Sequence, residues 1–227
     1  MIERYQRNMN MLSKEEIIKI NNAKICVIGC GGLGGFIIEG LTRLGFEKLT
    51  IVDKDVFDET NLNRQLFSSH SNLGELKATT GAKRIKEINN RCTPTPINDE
   101  LNESNIIDII KGHDIVIDAV DNVKTKLLLQ EYCEILNIPL VHGAIGGWYG
   151  QVAVILPGDK LLSRIYRTLE SGIEKTLGNP SFTPAIIANF MVSEALKLYL
   201  NKGDVLRNKL LMLDLLSNEL DLIEFTK

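Results

Sequence analysis

Residues 53–65 read D-K-D-V-F-D-E-T-N-L-N-R-Q and follow a glycine-rich turn, G-C-G-G-L-G, at 29–34. Gly29, Gly31 and Gly34 fit G-x-G-x-x-G between an apolar run and a helical pattern. Glycines there let the backbone turn tightly and approach a phosphate, while the helix N-terminus offers free N–H groups and a partial positive charge. Asp53 ends the next apolar run, where an acid accepts hydrogen bonds from ribose hydroxyls. Up to this point NAD and ATP fit equally, and a glycine turn used only for packing is the plain alternative. Arg64 decides between the nucleotides, because its planar cation suits a phosphate oxygen that a dinucleotide dehydrogenase does not offer beyond its ribose-binding acid. Lys77, after Gly74, is a second candidate cation, though either charge taken alone fits a solvated surface. Asp121 and Asn122 directly follow another apolar run, at the carboxyl edge where open α/β sheets bind ligands. A carboxylate there could hold Mg²⁺ between phosphates; an ordinary helix N-cap is the competing role.

These residues need a scaffold, and the periodicity supplies one. Ser13-Lys14-Glu15-Glu16 has capping-box spacing and opens a short helix to about residue 21. Short β-branched runs at 24–29, 48–53, 114–120 and 138–142 read as strands, and two prolines weaken another at 93–97. Helical patterns fall between them: an apolar one up to Leu44, stopped by Gly45, an amphipathic one over 74–90, and one over 123–136. That alternation predicts an α/β, Rossmann-like, doubly wound and mostly parallel sheet. Residues 151–156 form a strand reached without an intervening helix, which permits antiparallel pairing but no right-handed crossover. Residues 157–181, rich in glycine and proline, read as a long crossover loop with a short helix inside. A helix over 184–200 and a terminal hairpin at 210–215 and 220–225 complete antiparallel strands at the C-terminal end of the sheet. The expectation is one domain over 1–227, with 1–22 as an N-terminal helical arm.

Composition narrows the function classes. With 227 residues, 44% hydrophobic and 24% charged, and a net charge of −3, the chain has no general electrostatic pull toward nucleic acid or anionic membrane. The opening M-I-E-R-Y-Q-R-N lacks the apolar region of a signal peptide, and no run of apolar residues is long enough to span a bilayer; a cytoplasmic protein is expected. The four cysteines, Cys26, Cys30, Cys92 and Cys133, form no C-x-x-C pair and fit free thiols in a reducing compartment. His70, His113 and His142 are far apart in sequence; His142, at a strand end, is expected near the pocket. Trp148 and Tyr149 could cover an extended ligand or pack on the sheet.

The set as a whole resembles the ThiF/MoeB/HesA family, relatives of the ubiquitin-activating enzymes. The resemblance rests on the glycine turn, Asp53, N-L-N-R-Q-L-F at 61–67, Gly74-x-x-Lys77 and Asp118-Ala-Val-Asp-Asn122. It extends to R-Y-Q-R at 4–7, W-Y-G-Q at 148–151, S-E-A-L-K at 193–197 and L-M-L-D at 211–214, so that it covers nearly the whole chain. It implies an adenylyltransferase that activates the C-terminal glycine of a ubiquitin-like sulfur carrier with a Gly-Gly tail, using ATP and Mg²⁺. It further implies that Gly29, Gly31, Gly32, Gly34 and Asp55 bind the nucleotide and that Asp53 binds its ribose. Asn61, Arg64, Gln65 and Lys77 would grip the triphosphate, Asn122 would bind the nucleotide, Asp121 would hold Mg²⁺, and Arg7 would reach into a neighbouring subunit's site, which means a homodimer. Two departures are visible: without the paired C-x-x-C motifs of many relatives no zinc is expected, and residues 157–181 contain no cysteine for a covalent link to the carrier. Two other readings stay open, an ATP-dependent tRNA-modifying dehydratase and a carrier-recruiting pseudoenzyme.

Overall fold

The computed structural model describes residues 3–166 and 174–226. Its sheet has eight strands: β1 (Lys24–Ile28), β2 (Lys48–Val52), β3 (Thr95–Ile97), β4 (Ile115–Asp118), β5 (Leu140–Gly146), β6 (Tyr149–Ile155), β7 (Lys209–Asp214) and β8 (Glu219–Glu224). They lie in the order β3-β2-β1-β4-β5-β6-β7-β8. The pairs from β3 across to β5 are parallel, and those from β5 to β8 are antiparallel. The expected fold class therefore holds, and the sheet changes direction at the connection without a helix, the Gly147-Trp148 turn between β5 and β6.

Helices cover both faces, which is why the inner strands are buried runs rather than alternating ones. One face carries α1 (Lys14–Asn22), α2 (Gly32–Leu44), α3 (Lys77–Ile88) and α8 (Phe182–Leu200), packed through residues such as Ile20, Ile37, Ile38, Ile85 and Met191. The other carries α4 (Ile106–Ile110), α5 (Val123–Ile135) and α6 (Leu161–Ile165), packed through Ile106, Ile110, Leu129 and Leu162. Ser13 caps α1 with both bonds of the capping box, and Gly45 ends α2 in the left-handed conformation.

The structure moves several expected boundaries. The helix expected over 74–90 begins only at Lys77, because Gly74 has φ +84° and Leu76 is extended, bridged to Val56. β5 runs on to Gly146, since β6 pairs with it along its full length. α4 was not expected; its five residues are too few to show a helical period. α8 starts at Phe182, with Pro184 in its first turn, where a missing N–H costs nothing. The expected loop at 157–181 contains α6 and a further turn of helix, α7 (Glu174–Leu177), while residues 167–173 of that expectation lie outside the described residues.

Candidate functional site: a nucleotide-type cavity at the sheet switch point

Strands β2 and β4 flank β1, so the chain direction of winding reverses there, and the loops after all three open one crevice at their carboxyl ends. The crevice is a cavity of about 830 Å³. Gly29, Gly31 and Gly32 line it from the β1 turn, Asp53 and Asp55 from the β2 end, and Asp121 and Asn122 from the β4 end. Arg64, Gln65 and Lys77 close one side; the β5–β6 edge, including Gly146, Tyr149 and Gln151, forms the other. A site scattered over the sequence from residue 28 to residue 212 is thus gathered around three parallel strand ends and the β5–β6 hairpin.

The glycines divide into two kinds. A Cβ on Gly34 would lie 1.9 Å from the Gly29 carbonyl oxygen, and one on Gly29, at φ +99°, would lie 2.6 Å from the Ala119 oxygen. Those two allow the close packing of α2, β1 and the β4 turn, and Gly34 does not line the cavity. A Cβ on Gly31 or Gly32 would meet nothing nearer than 3.5 Å, the nearest atoms being those of Gln65 and Arg64. Their bare backbone is what a phosphate could approach.

Asp53 holds this turn in place. One carboxylate oxygen accepts the Cys30 N–H at 2.7 Å and the other accepts the Asp55 N–H at 2.9 Å. Burial raises its pKa above the usual carboxylate value, and the two N–H bonds oppose that rise. Lys77 is buried, with its ammonium 3.3 Å from Asp55, so it is no solvated surface charge. Arg64 is held by its own segment: Nη1 donates to Thr60 O at 3.0 Å and Asn63 Oδ1 at 2.9 Å. Among the described residues no carboxylate pairs with it, so its charge is available to a ligand.

The competing roles of Asp121 and Asn122 are separated by the geometry. Asn122 caps α5 by accepting the Thr125 N–H at 2.8 Å. Asp121 is left exposed on the cavity wall, with no hydrogen bond or ion pair among the described residues. An oxygen donor of this kind, beside cations that would meet phosphates, fits a hard divalent ion such as Mg²⁺. No group of three or more His, Cys, Asp or Glu side chains suited to a metal occurs among the described residues. Asn61 is placed otherwise than expected: buried, its carboxamide donates to Asp58 Oδ1 at 2.8 Å and accepts the Asp58 N–H, and it does not line the cavity. It shapes the turn carrying Arg64. Arg7 is exposed on the short helix Glu3–Asn8, away from its own chain's cavity, and Tyr5 anchors that helix by donating to Glu47 at 3.0 Å and accepting from Asn89 at 2.7 Å.

Two buried side-chain oxygens have no partner among the described residues: Gln65 Oε1 and Asn179 Oδ1. Both residues line this cavity. An unpaired buried acceptor costs about 1–3 kcal/mol, and both of these fall beside the cavity.

A buried charge cluster behind the cavity was not foreseen. Lys126 Nζ lies 3.2 and 3.1 Å from the two oxygens of Asp118 and donates to Gly143 O at 3.1 Å. His142 Nδ1 meets Asp118 at 2.7 Å, while His142 Nε2 faces Tyr166 Oη and Gln151 Nε2, each at 3.2 Å. Burial lowers the His142 pKa, leaving a neutral ring; the cation of Lys126 and the bond from His142 hold Asp118 below its usual value despite its burial. The expectation that His142 lines the pocket fails, because it is fully buried; its partners Lys126, Gln151 and Tyr166 do line it. The signal was present in α5, where Lys126 falls on the buried stripe Val123, Lys126, Leu129, Gln130 and Cys133. A lysine there implies an internal carboxylate.

The fold and cavity define a class: an α/β protein whose cavity, at the switch point of its sheet, suits an anionic nucleotide. The comparisons narrow it, for the ThiF family model matches residues 5–227, and the chain belongs to the ThiF family. It is similar to the SAMP-activating enzyme E1 of Haloferax volcanii, 31% identical over 219 residues, which cover 94% of this chain and 81% of that protein. It is likewise similar to the sulfur carrier protein adenylyltransferase of Thermus thermophilus, 31% identical over 237 residues, covering 95% and 84%. Among solved structures, the Escherichia coli tRNA N6-threonylcarbamoyladenosine dehydratase in complex with ATP superposes with a TM-score of 0.76 at 28% identity, covering 87% of this chain and 94% of that one.

Proposed function

We propose that this chain is an ATP-dependent adenylyltransferase that activates the C-terminal glycine of a ubiquitin-like sulfur-carrier protein. The observation that carries the reading is one cavity with Asp53, Arg64, Lys77 and Asp121 on one side and the Gly146–Gln151 edge on the other. The first side suits a nucleoside triphosphate. The second is the end of the β5–β6 hairpin, over which an extended protein tail can lie. Two relatives that nearly span the chain, one named a SAMP-activating enzyme and the other a sulfur carrier protein adenylyltransferase, support the same substrate class.

In this reading Asp53 binds the ribose, while Gln65, Arg64 and Lys77 grip the triphosphate. Asp121 holds Mg²⁺, which when bound neutralises charge on the phosphates. The tail carboxylate, ionised at neutral pH, attacks the α-phosphorus; the bond to the bridging oxygen breaks and pyrophosphate leaves with that electron pair. No proton needs to move, so the residues act by positioning and charge neutralisation, which accounts for a wall of Arg, Lys and Asp. Residues 157–181 contain no cysteine. The four thiols are buried, and burial raises Cys92 to about 11 and Cys133 to about 12, with Cys26 and Cys30 raised as well. The chemistry on this chain accordingly ends at the acyl-adenylate, with sulfur brought by another protein. Arg7 completes the partner subunit's site in a homodimer.

A second reading, dehydration of a tRNA adenosine modification, is favoured by the 28% identity to the ATP-bound dehydratase. Incubation with ATP and Mg²⁺ separates the two. Adenylation gives a carrier heavier by one AMP moiety in intact mass spectra and only when its Gly-Gly tail is present; loss of water from tRNA threonylcarbamoyladenosine, with no carrier adduct, would replace this reading with the second.

A further inference from the structure

The helix α8 lies on the surface of the sheet, yet its first twelve residues, Phe182–Ser193, carry no charged side chain. Ile187, Ala188, Met191 and Val192 face the core. Phe182, Ile186, Asn189 and Ser193, one stripe at helical spacing, are exposed. A solvated helix face carries charged and polar residues, whereas a helix apolar on all sides is one that protein covers. Asn189 brings no charge and turns its carboxamide back to Ala185 O at 2.6 Å. Trp148 lies against Phe182, with ring centroids 4.7 Å apart, and is still 44% exposed. The apolar surface continues onto the sheet. α8 covers β5 and β6, since a Cβ on Gly143 would collide with Met191 and one on Gly150 with Ile187, each at 2.2 Å. Leu220 and Leu222 of β8 pair with Leu213 and Leu211, which share a core with Ile187, so they lie on the α8 side of the sheet. They are 61% and 48% exposed, and no described helix covers them.

We infer that a second copy of this chain sits on this face, in a two-fold dimer built on the outer stripe of α8 and on Leu220 and Leu222. Two observations choose that occupant. Tyr149 and Gln151, which line the cavity, alternate along β6 with Gly150 and so point to the side of the sheet away from α8. A carrier whose tail lies over them is therefore on the other side. The second observation is charge. In a two-fold interface each surface meets itself, so a charged stripe would oppose its own sign. The α8 stripe has no charge to oppose, whereas the far side of β8 presents Glu219 and Asp221, which alternate with Leu220 and Leu222. The inference names the face of the homodimer proposed above and rests on that homodimer, not on the chemistry of adenylation. The interface also abuts the site. Thr183 donates to Gly147 O at 2.6 Å, and the Gly147 N–H donates to Gly178 O at 2.7 Å. A second copy seated on Phe182 and Trp148 thus braces the β5–β6 turn beside the cavity.

Trp148 is the only tryptophan in the chain, so its emission reports on this face alone. The test is sedimentation velocity of the full chain over a dilution series, read beside that emission. The chain should sediment as a dimer, and dilution to the monomer should shift the emission to the red as the ring meets water. Ile186→Asp and Asn189→Arg should each raise the dimer dissociation constant about a hundredfold or more, because each buries an unpaired charge twice. Asp221→Arg, on the far side of β8, should leave that constant unchanged. Asn189 is exposed and bonds only to its own helix, so its variant decides should Ile186→Asp not fold. A dimer that survives the α8 variants would overturn the inference alone and leave the homodimer to another face. A chain monomeric at every concentration would overturn the inference and the homodimer together. So would a monomer whose Trp148 emission moves only when a ubiquitin-like carrier is added, which would give this face to the carrier.

Discussion

At the scale of single residues, the site is built by commitments that free other groups. Asn122 takes the cap of α5, which leaves Asp121 with no partner inside the chain. Asn63 and the Thr60 carbonyl orient Arg64 without cancelling its charge. Lys77 is buried beside Asp55, so a phosphate would meet a desolvated cation rather than a hydrated one. The types at these positions were legible in the sequence, because an arginine just beyond the ribose-binding acid and an aspartate after a strand suggest phosphate and metal. Asn61 was not, since a carboxamide that caps its own turn and one that grips a ligand look the same in a motif. Under the adenylation account, Asp121→Ala and Arg64→Ala should each lower turnover by about 10²–10³-fold, as loss of one transition-state charge contact does, with the fold intact by circular dichroism. Near-normal turnover in either variant would sink those assignments.

At the scale of elements, the strand–helix alternation was readable because buried parallel strands and apolar helix faces leave strong periodic signals. What escaped was whatever depends on pairing across the sheet. β5 reaches Gly146 only because β6 lies against it, and the Asp118–Lys126–His142 cluster exists only once β4, α5 and β5 are side by side. That cluster joins the elements around the cavity, and Tyr166 at the end of α6 closes it. It also gives the fold a pH signature. His142 is held below 6.5, so as the pH falls through about 6.5 the unfolded chain takes up a proton that the folded chain refuses, and stability declines by up to about 1.4 kcal/mol per pH unit until the folded value is reached. Asp118, lowered from 3.8, yields its contribution only in stronger acid. His113 is lowered in the same sense and stays in place as an internal constant. Thermal melts between about pH 7.5 and pH 5.5 should therefore show a steeper loss in the unaltered chain than in His142→Gln. Parallel curves for the two would show that His142 is not the titrating group.

At the scale of the whole molecule, the eight-stranded sheet divides its work. In the proposed function the parallel half supplies the phosphate-facing ends, and the antiparallel half supplies the β5–β6 hairpin over which a protein tail lies. Arg7 stands outside its own cavity on a helix anchored by Tyr5, consistent with service to a second copy. If it acts across a homodimer, mixing inactive Arg7→Ala with inactive Asp121→Ala should restore activity. With random exchange of subunits about a quarter of all sites would then be intact. No recovery after demonstrated subunit exchange would place Arg7 in its own chain's chemistry or in none. The central claim is that this cavity joins ATP to a carrier tail, and ATP–pyrophosphate exchange with radiolabelled pyrophosphate tests it most directly. Label should enter ATP only when a ubiquitin-like sulfur carrier with an intact Gly-Gly tail is present, and should stop when that tail is removed. ATP binding without exchange in the presence of such a carrier, or exchange indifferent to the tail, would contradict the account.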